Sequence, residues 1–381
     1  MDTATRDQQC NSEPVLFMAM ELSASKWKLG FTVGLGQKPR ERTIDAGDVE
    51  ALSEAVARAK RRFRLAEDVG VVSCYEAGRD GFWIDRYLRG HGIGNVVIDP
   101  ASVEGNRRRK KRKTDRLDLG KLLRCLVRWH RGEEKVWAVV RPPSEEAEDA
   151  RQFHRELEAL KAERTRHVAR IKSLLVSQGI QVKRVGRDFV TELEAARMWD
   201  GSPVPPQLRD RLGREYQRLQ VLRQQICELE GQRREAIRKV TDRRMQQIRH
   251  LMRLRGIGEN GAWLLVMELF GWREFRNRGE VGSIAGLTPT PWASGDEDRE
   301  QGIDKAGNRR VRAMMIELAW CWLRYQPRSE LSIWFEQRFG GGGKRSRRIG
   351  IVALARRLLV ALWHFLRDGW VPKGAVVTAP G

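Results

Sequence analysis

Residues 15 to 99 change hydrophobic period again and again, and this alternation limits the fold more than any other feature of the chain. Four β-rich runs, VLFMAMEL, KWKLGFTVGL, VGVVSCYE and NVVIDP, are interspersed with stretches near residues 48–64 and 81–89 whose apolar residues recur at helical spacing. Runs of the first kind pair into sheets, and helices placed between the later ones make crossovers that lay strands parallel. The pattern predicts an α/β domain in which two or three hairpin strands come first and βαβ units follow, giving a mixed sheet. Carboxylates arrive at strand ends: Glu21 closes the first apolar strand and Glu76 closes VVSCYE.

The next stretch, GNRRRKKRKTDRLDLGKLL, holds seven consecutive cations, Arg107, Arg108, Arg109, Lys110, Lys111, Arg112 and Lys113, directly before Asp115 and Asp118. Leu117, Leu119, Leu122, Leu123 and Leu126 recur at helical spacing, which predicts one helix from Asp115 to His130 with both aspartates in its first turn. One reading is local: Thr114 caps the helix and Asp115 complements its dipole, worth roughly 0.3–1 kcal/mol. The other is chemical. Residues three apart on a helix hold their Cβ atoms about 5–6 Å from each other, which suits a pair of divalent cations about 3.5–4 Å apart. With Glu21 and Glu76, four carboxylates at element ends make a candidate metal site, and the cations beside it would draw a phosphate backbone that the acids alone repel.

Charge supports a polyanionic partner. The 381 residues include 72 Lys and Arg against 50 Asp and Glu, a net +22, and 41% are hydrophobic, enough for two or three cored domains. The positive charge is not confined to one amphipathic helix, so a membrane surface fits less well than nucleic acid. No apolar run approaches the roughly 18 residues of a membrane span, and the polar first 14 residues lack the order of a signal peptide. A cytoplasmic, nucleoid-associated protein is expected. Cys10, Cys74, Cys125, Cys227 and Cys321 lie more than 50 residues apart, so they read as reduced thiols rather than as a disulfide framework or a zinc site.

RPPSEE, residues 141–146, marks a boundary. Residues 145–177 and 208–250 then read as two long charged helices separated by a linker with Pro203, Pro205 and Pro206, either an antiparallel hairpin or an intermolecular coiled coil. A tryptophan-rich helical unit begins at Leu251. The organisation expected is 14–143, 144–250 and 251–381. In the last part FGGGGKRSRR reads as a flexible basic loop; Lys344 is followed by Arg345 where a phosphate loop needs Ser or Thr. Gly256 and Gly258 in RGIGENGA fit either the hairpin of a helix-hairpin-helix element or a plain helix–helix turn. In GIDKAGNRRVR, Lys305, Asn308, Arg309, Arg310 and Arg312 are candidate phosphate contacts or a solvated helix face.

AMELSASKWKLGFTV, CYEAGRDGFWIDRYL and KRKTDRLDLGKLL resemble the RuvC-like, RNase H-fold domain of the DEDD transposases of bacterial insertion sequences, the IS one-ten group related to the Piv DNA invertase. RGIGENGAWLLVMELFGWREF, AGLTPTPWASG and GIDKAGNRRVR resemble the same family's C-terminal transposase domain, so the likeness runs from about residue 15 to 325. The resemblance implies an RNase H-like domain, a helical hairpin or coiled coil, and a helical C-terminal domain. It carries Glu76, Asp115 and Asp118 over as ligands of magnesium, two ions with manganese as an alternative. Glu21 stands where the family has Asp, its carboxylate more than an ångström further out. The family's nucleophilic serine falls on Ser294. Donor and target DNA, an element-encoded structured RNA and a homodimer or tetramer are the implied partners. Two other readings stand beside it: a Holliday-junction-type metal nuclease that needs only the acids, and a binding relative without catalysis.

Overall fold

The computed structural model describes residues 14–100, 102, 115–133, 136–294, 297–303 and 307–378, with backbone alone at 115–118 and 289–301. Arg107 to Lys113 and Lys305 lie outside the described residues. The chain divides into two compact units, 1–143 and 144–381.

The first unit is a three-layer α/β sandwich. Its elements are β1 (Leu16–Leu22), β2 (Lys26–Thr32), β3 (Arg40–Asp45), α1 (Val49–Arg62), β4 (Val71–Glu76), α2 (Trp83–Gly90), β5 (Ile93–Ile98) and α3 (Asp115–His130). The five-stranded sheet has the order β3-β2-β1-β4-β5. The two hairpin pairings are antiparallel, while β4 lies parallel to both β1 and β5. The mixed sheet expected from the sequence is therefore present. Alternation along β1 explains the layers. Leu16, Met18 and Met20 join Leu52, Val56, Ile84 and Leu88 of α1 and α2 in one core, whereas Phe17 and Ala19 join Leu119, Leu122, Leu123 and Leu126 of α3 in the other. Gly30 lets α3 sit close to the sheet, since a Cβ there would lie 2.9 Å from the Leu119 side chain.

The second unit is mainly helical: α4 (Glu145–Asp149), α5 (Gln152–Val176), α6 (Phe189–Ala195), α7 (Pro206–Lys239), α8 (Arg243–Met252), α9 (Glu259–Leu265), α10 (Arg278–Ile284), β6 (Pro289–Ser294), β7 (Glu297–Ile303), α11 (Arg309–Tyr325), α12 (Glu330–Phe335) and α13 (Lys344–Asp368). Helices α5 and α7 form an antiparallel hairpin within the chain, with Lys161 bonded to Glu230 (2.7 Å) and, further along, Arg170 to Glu215 (3.1 Å). Buried Glu215 also accepts from His167 Nδ1 (2.6 Å); burial raises its carboxyl, and these donors outweigh burial and hold it below the ordinary range.

Four features differ from the sequence expectations. The helix expected over 208–250 breaks after Lys239, because Asp242 is an N-cap whose carboxylate accepts from the Met245 amide (2.8 Å) and starts α8. The proline-marked linker is a folded cap: Phe189 and Leu193 of α6 bury against Ile171, Leu175, Leu212 and Tyr216, and Pro206 opens α7. The basic glycine-rich segment is no loop after Lys344, since α13 starts there, drawn into order by Ile351, Leu354, Leu358 and Leu362 in the core. This helix is also long and apolar enough to cross a membrane, which the sequence reading did not register, yet ten of its residues are buried within the unit. Finally, residues 289–294 and 297–303 form a pair of antiparallel strands, a hairpin, instead of helical core. Pro289 and Pro291 obscure it, but a strand with a single neighbour tolerates missing amide donors.

Gly30→Ala is expected to destabilise the first unit by about 1–3 kcal/mol through overpacking against Leu119 and Leu123. Adding Leu119→Ala should recover part of that loss, read as renewed hydrogen-exchange protection in β2 and α3; equal protection in wild type and Gly30→Ala would contradict this seating of α3.

Candidate active site

Parallel pairing of β1 with β4 matches Leu16 to Val71 and continues to Met20 with Tyr75, so Glu21 and Glu76 are the next residues on neighbouring strands. Both follow the side-chain alternation of Ala19 and Cys74, toward the layer that holds α3. They line one cleft of ≈ 560 Å³, together with Arg79, Asp80, Lys121 and Leu122 among others. The cleft lies beyond the carboxyl ends of the parallel strands, where ligands of open α/β sheets bind. Its floor is fixed by neighbouring hydrogen bonds. The Ala77 amide donates to Ile98 O (2.8 Å), and Tyr75 Oη donates to Gly81 O (3.1 Å); burial raises the Tyr75 phenol, which stays protonated.

Asp115 and Asp118 open α3, seven and four residues before Leu122, so the three positions fall on one helical stripe. Glu21 and Glu76 are thus brought together, and α3 delivers its first turns to the same layer. Among the described residues no group of three His, Cys, Asp or Glu side chains gathers closely enough to hold a metal. Hard carboxylate oxygens of Glu21 and Glu76 are nonetheless the donor type magnesium takes. Sequence reasoning missed Asp80, Arg79 and Lys121. Arg79 Nη2 pairs with Asp80 Oδ1 at 3.0 Å, and the cue was in EAGRDG, where charged residues follow directly on a strand-ending acid.

The remaining candidates belong to the second unit. Ser294 is the last residue of β6 and pairs in register with Glu297 at the far end of the hairpin. Gly256 has φ +94°, and a Cβ there would come within 3.2 Å of Tyr325 Cβ, a packing reason for glycine; Gly258 is the N-cap of α9. Asn308 caps α11 through Oδ1, which accepts from the Arg310 and Val311 amides (2.9 and 3.2 Å). Arg309 is exposed, Arg310 Nε donates to Glu158 (2.8 Å), and Arg312 Nη1 donates to Ala285 O (3.1 Å).

Asn308 also leads to a group the sequence did not signal. Glu268 sits in a π-helical turn, Val266–Phe270, and its carboxylate is fully buried. Its Oε1 accepts from His154 Nε2 (2.9 Å) and Arg155 Nε (2.8 Å), and its Oε2 from Arg155 Nη2 (3.0 Å) and Asn308 Nδ2 (2.9 Å). Burial raises this carboxyl, but the four hydrogen bonds and the Arg155 charge overcome it and hold it well below the ordinary carboxylate range.

Comparison with known proteins settles the family. Residues 248–332 match the model of the "Transposase IS116/IS110/IS902 family". A putative transposase, y4rJ, of Sinorhizobium fredii is 42% identical over 377 residues, 96% of this chain and 95% of the relative. The chain belongs to the IS116/IS110/IS902 transposase family. The transposase for insertion sequence element IS1328 of Yersinia enterocolitica is 27% identical over 61% of this chain and 67% of its own length. The matched region of the transposase spans Glu268, Ser294 and the motif that begins α11.

Because Glu268 is depressed in the folded state, it stabilises the transposase above the ordinary carboxylate range, and that contribution is lost as pH falls through that range toward the folded value. Glu268→Gln is expected to lower stability by about 3–5 kcal/mol near pH 7, as removing one partner of a buried ion pair does. The deficit should shrink as pH drops below about 4, measured by denaturant unfolding across pH. A deficit independent of pH would contradict the assignment.

Proposed function

We propose that this transposase cuts and rejoins DNA by serine attack on a phosphodiester, with divalent cations held by the first unit. The observation that carries the reading is the convergence of Glu21 and Glu76 at the carboxyl edge of β1 and β4, in one cleft with Lys121 and Leu122 of the helix that begins at Asp115. The strand order 3-2-1-4-5, with an antiparallel hairpin leading into parallel strands, supports an RNase H-like, RuvC-like domain. Glu21, Glu76, Asp115 and Asp118 would hold magnesium, two ions, with manganese as the alternative. When bound, such ions polarise a phosphoryl oxygen and steady the charge on a leaving oxygen.

In this reading Ser294 Oγ forms the new bond to phosphorus and the sugar oxygen leaves, taking up the proton that the serine gives away. The phosphoseryl link conserves the energy of the phosphodiester, so a sugar hydroxyl of a second strand can attack it and release the serine unchanged. Lys121 and Arg79 bring positive charge to a cleft of carboxylates, and the cations at 107–113 add the long-range attraction a DNA backbone needs. A structured RNA encoded by the element is proposed to select donor and target. Such RNA is read through shape and backbone contacts, for which the excess of Lys and Arg suffices. The working protein is proposed to be a homodimer or tetramer in the bacterial cytoplasm, associated with the nucleoid.

The test is cleavage of paired DNA sites in the presence of the element's flanking transcript. Ser294→Ala is expected to abolish the covalent DNA adduct and strand transfer, while Glu76→Gln, Asp115→Asn or Asp118→Asn should lower cleavage by about 10²-fold or more and chelation of magnesium should stop it. Cleavage that persists in Ser294→Ala and is lost in the acid variants would mean a metal nuclease instead. Replacing the seven cations of 107–113 with serine is expected to flatten the salt dependence of DNA binding, by up to about 0.9 in log–log slope for each phosphate contact removed. An unchanged slope would place those residues off the DNA.

A further inference from the structure

We infer that Glu268, acting through Asn308, is a positioning residue for the hairpin that carries Ser294. The inference rests on the assignment of Ser294 as nucleophile. A buried carboxylate whose only task is to stabilise a core can usually be replaced by a packed apolar group. Glu268 does something an apolar group cannot: besides His154 and Arg155 of α5, it takes a hydrogen bond from the Asn308 amide, at the point where the chain leaves the hairpin and starts α11.

The end of α10, which leads toward β6, meets the start of α11 at that point. The Asn308 backbone amide donates to Ile284 O (2.7 Å), the last residue of α10 before the chain turns into β6. Arg312 Nη1 donates to Ala285 O (3.1 Å). Gly307, at φ +86°, lies so close to Ile284 that a Cβ would run into its carbonyl oxygen, so no other residue fits. One residue, Asn308, therefore ties three things together: the N-terminus of α11 through Oδ1, the end of α10 through its backbone amide, and the buried anion through Nδ2.

Leverage gives this clamp its effect on chemistry. A two-stranded hairpin has little stability of its own, so its direction is set where it is rooted. Pro289 pairs with Ile303 at the root and Ser294 with Glu297 at the far end, a lever of about 17 Å at roughly 3.3 Å per residue. A tilt of about 5° at the root moves the far end by about 1.5 Å, and a misplacement of about 1 Å can reduce a rate by roughly 10²-fold.

Asn308→Asp tests the inference in the full-length protein. Aspartate keeps the helix cap but sets a second carboxylate against Glu268. The groups facing this pair are His154 and Arg155 of α5, with Glu148 of α4 and Glu158 of α5 beyond Arg155, and Arg310 of α11 on Glu158. Near pH 7 strand transfer is expected to fall at least tenfold relative to wild type, with affinity for donor DNA within twofold. As pH is lowered toward 5, the ratio of variant to wild type should rise, because a proton shared by the two carboxylates relieves their repulsion. Asn308→Ser, which caps but does not reach Glu268, should show the loss at neutral pH without the recovery. Wild-type strand transfer by Asn308→Asp at every pH would overturn the inference, as would a loss of transfer and DNA affinity in equal proportion with no recovery. Ser294→Ala run alongside separates the two readings: if it still forms adduct, the nucleophile assignment has failed; if it is inactive while Asn308→Asp is fully active, only the clamp has.

Discussion

The acidic cleft depends on one constraint, the crossover that lays β4 parallel to β1 in the register Met20 to Tyr75. Strands in a sheet lie about 4.8 Å apart, so this register sets two glutamates from distant parts of the sequence side by side at a strand edge. Carboxylates that close repel each other, and the sheet accepts the repulsion because the apolar residues that β1 buries on both of its faces leave no alternative register. A one-residue slip would exchange the two cores of β1, turning Met18 and Met20 toward α3 and Phe17 and Ala19 toward α1. The position of the acids thus follows from burial of their apolar neighbours.

The two units handle buried or crowded negative charge in opposite ways. Glu268 is saturated: four hydrogen bonds from three residues occupy both oxygens, and a charged guanidinium lies against it. Nothing remains on it for a ligand to take. Glu76 is exposed at the mouth of a cleft that it shares with Lys121, Arg79 and Asp80. A carboxylate that the protein buries and saturates has a structural or positioning task, whereas one at an exposed edge stays within reach of solvent and solutes. The distinction separates the Glu268 cluster from the cleft without reference to sequence motifs.

Most of the first unit was legible because its signals are local. Period-two runs gave β1, β2, β4 and β5, period-3.6 runs gave α1 and α3, and the strand-ending acids marked the cleft. Lys121 was not legible, because reaching the cleft depends on where a helix turn folds back, whereas Asp80 had its cue in the charged residues that follow the strand-ending Glu76. In the second unit prolines misled in both directions: Pro203, Pro205 and Pro206 suggested a bare linker where α6 packs, and Pro289 and Pro291 hid a hairpin. Four glycines suggested a loop where α13 begins, since propensity near a helix end is overridden by the apolar face that follows. Glu268 gave no cue at all. Its partners lie 113, 114 and 40 residues away, and an acid inside an apolar run has no visible role until those partners are placed.

The motif that begins α11 shows how far a basic stretch can be misjudged by composition. Read as text, Asn308, Arg309, Arg310 and Arg312 form one patch for phosphate. In the fold they divide by geometry: Asn308 is engaged at every polar atom described, Arg310 reaches across to Glu158 of α5, Arg312 holds the carbonyl of Ala285, and Arg309 is turned to solvent. The cations nearest the hairpin root therefore join α5, α10 and α11 before they meet any polyanion. Electrostatic attraction to nucleic acid falls off smoothly and tolerates displacement, whereas a hydrogen bond to a chosen carbonyl does not. Placing the second kind of contact at the root of the Ser294 hairpin makes that hairpin's direction a property of the folded unit rather than of the nucleic acid it receives.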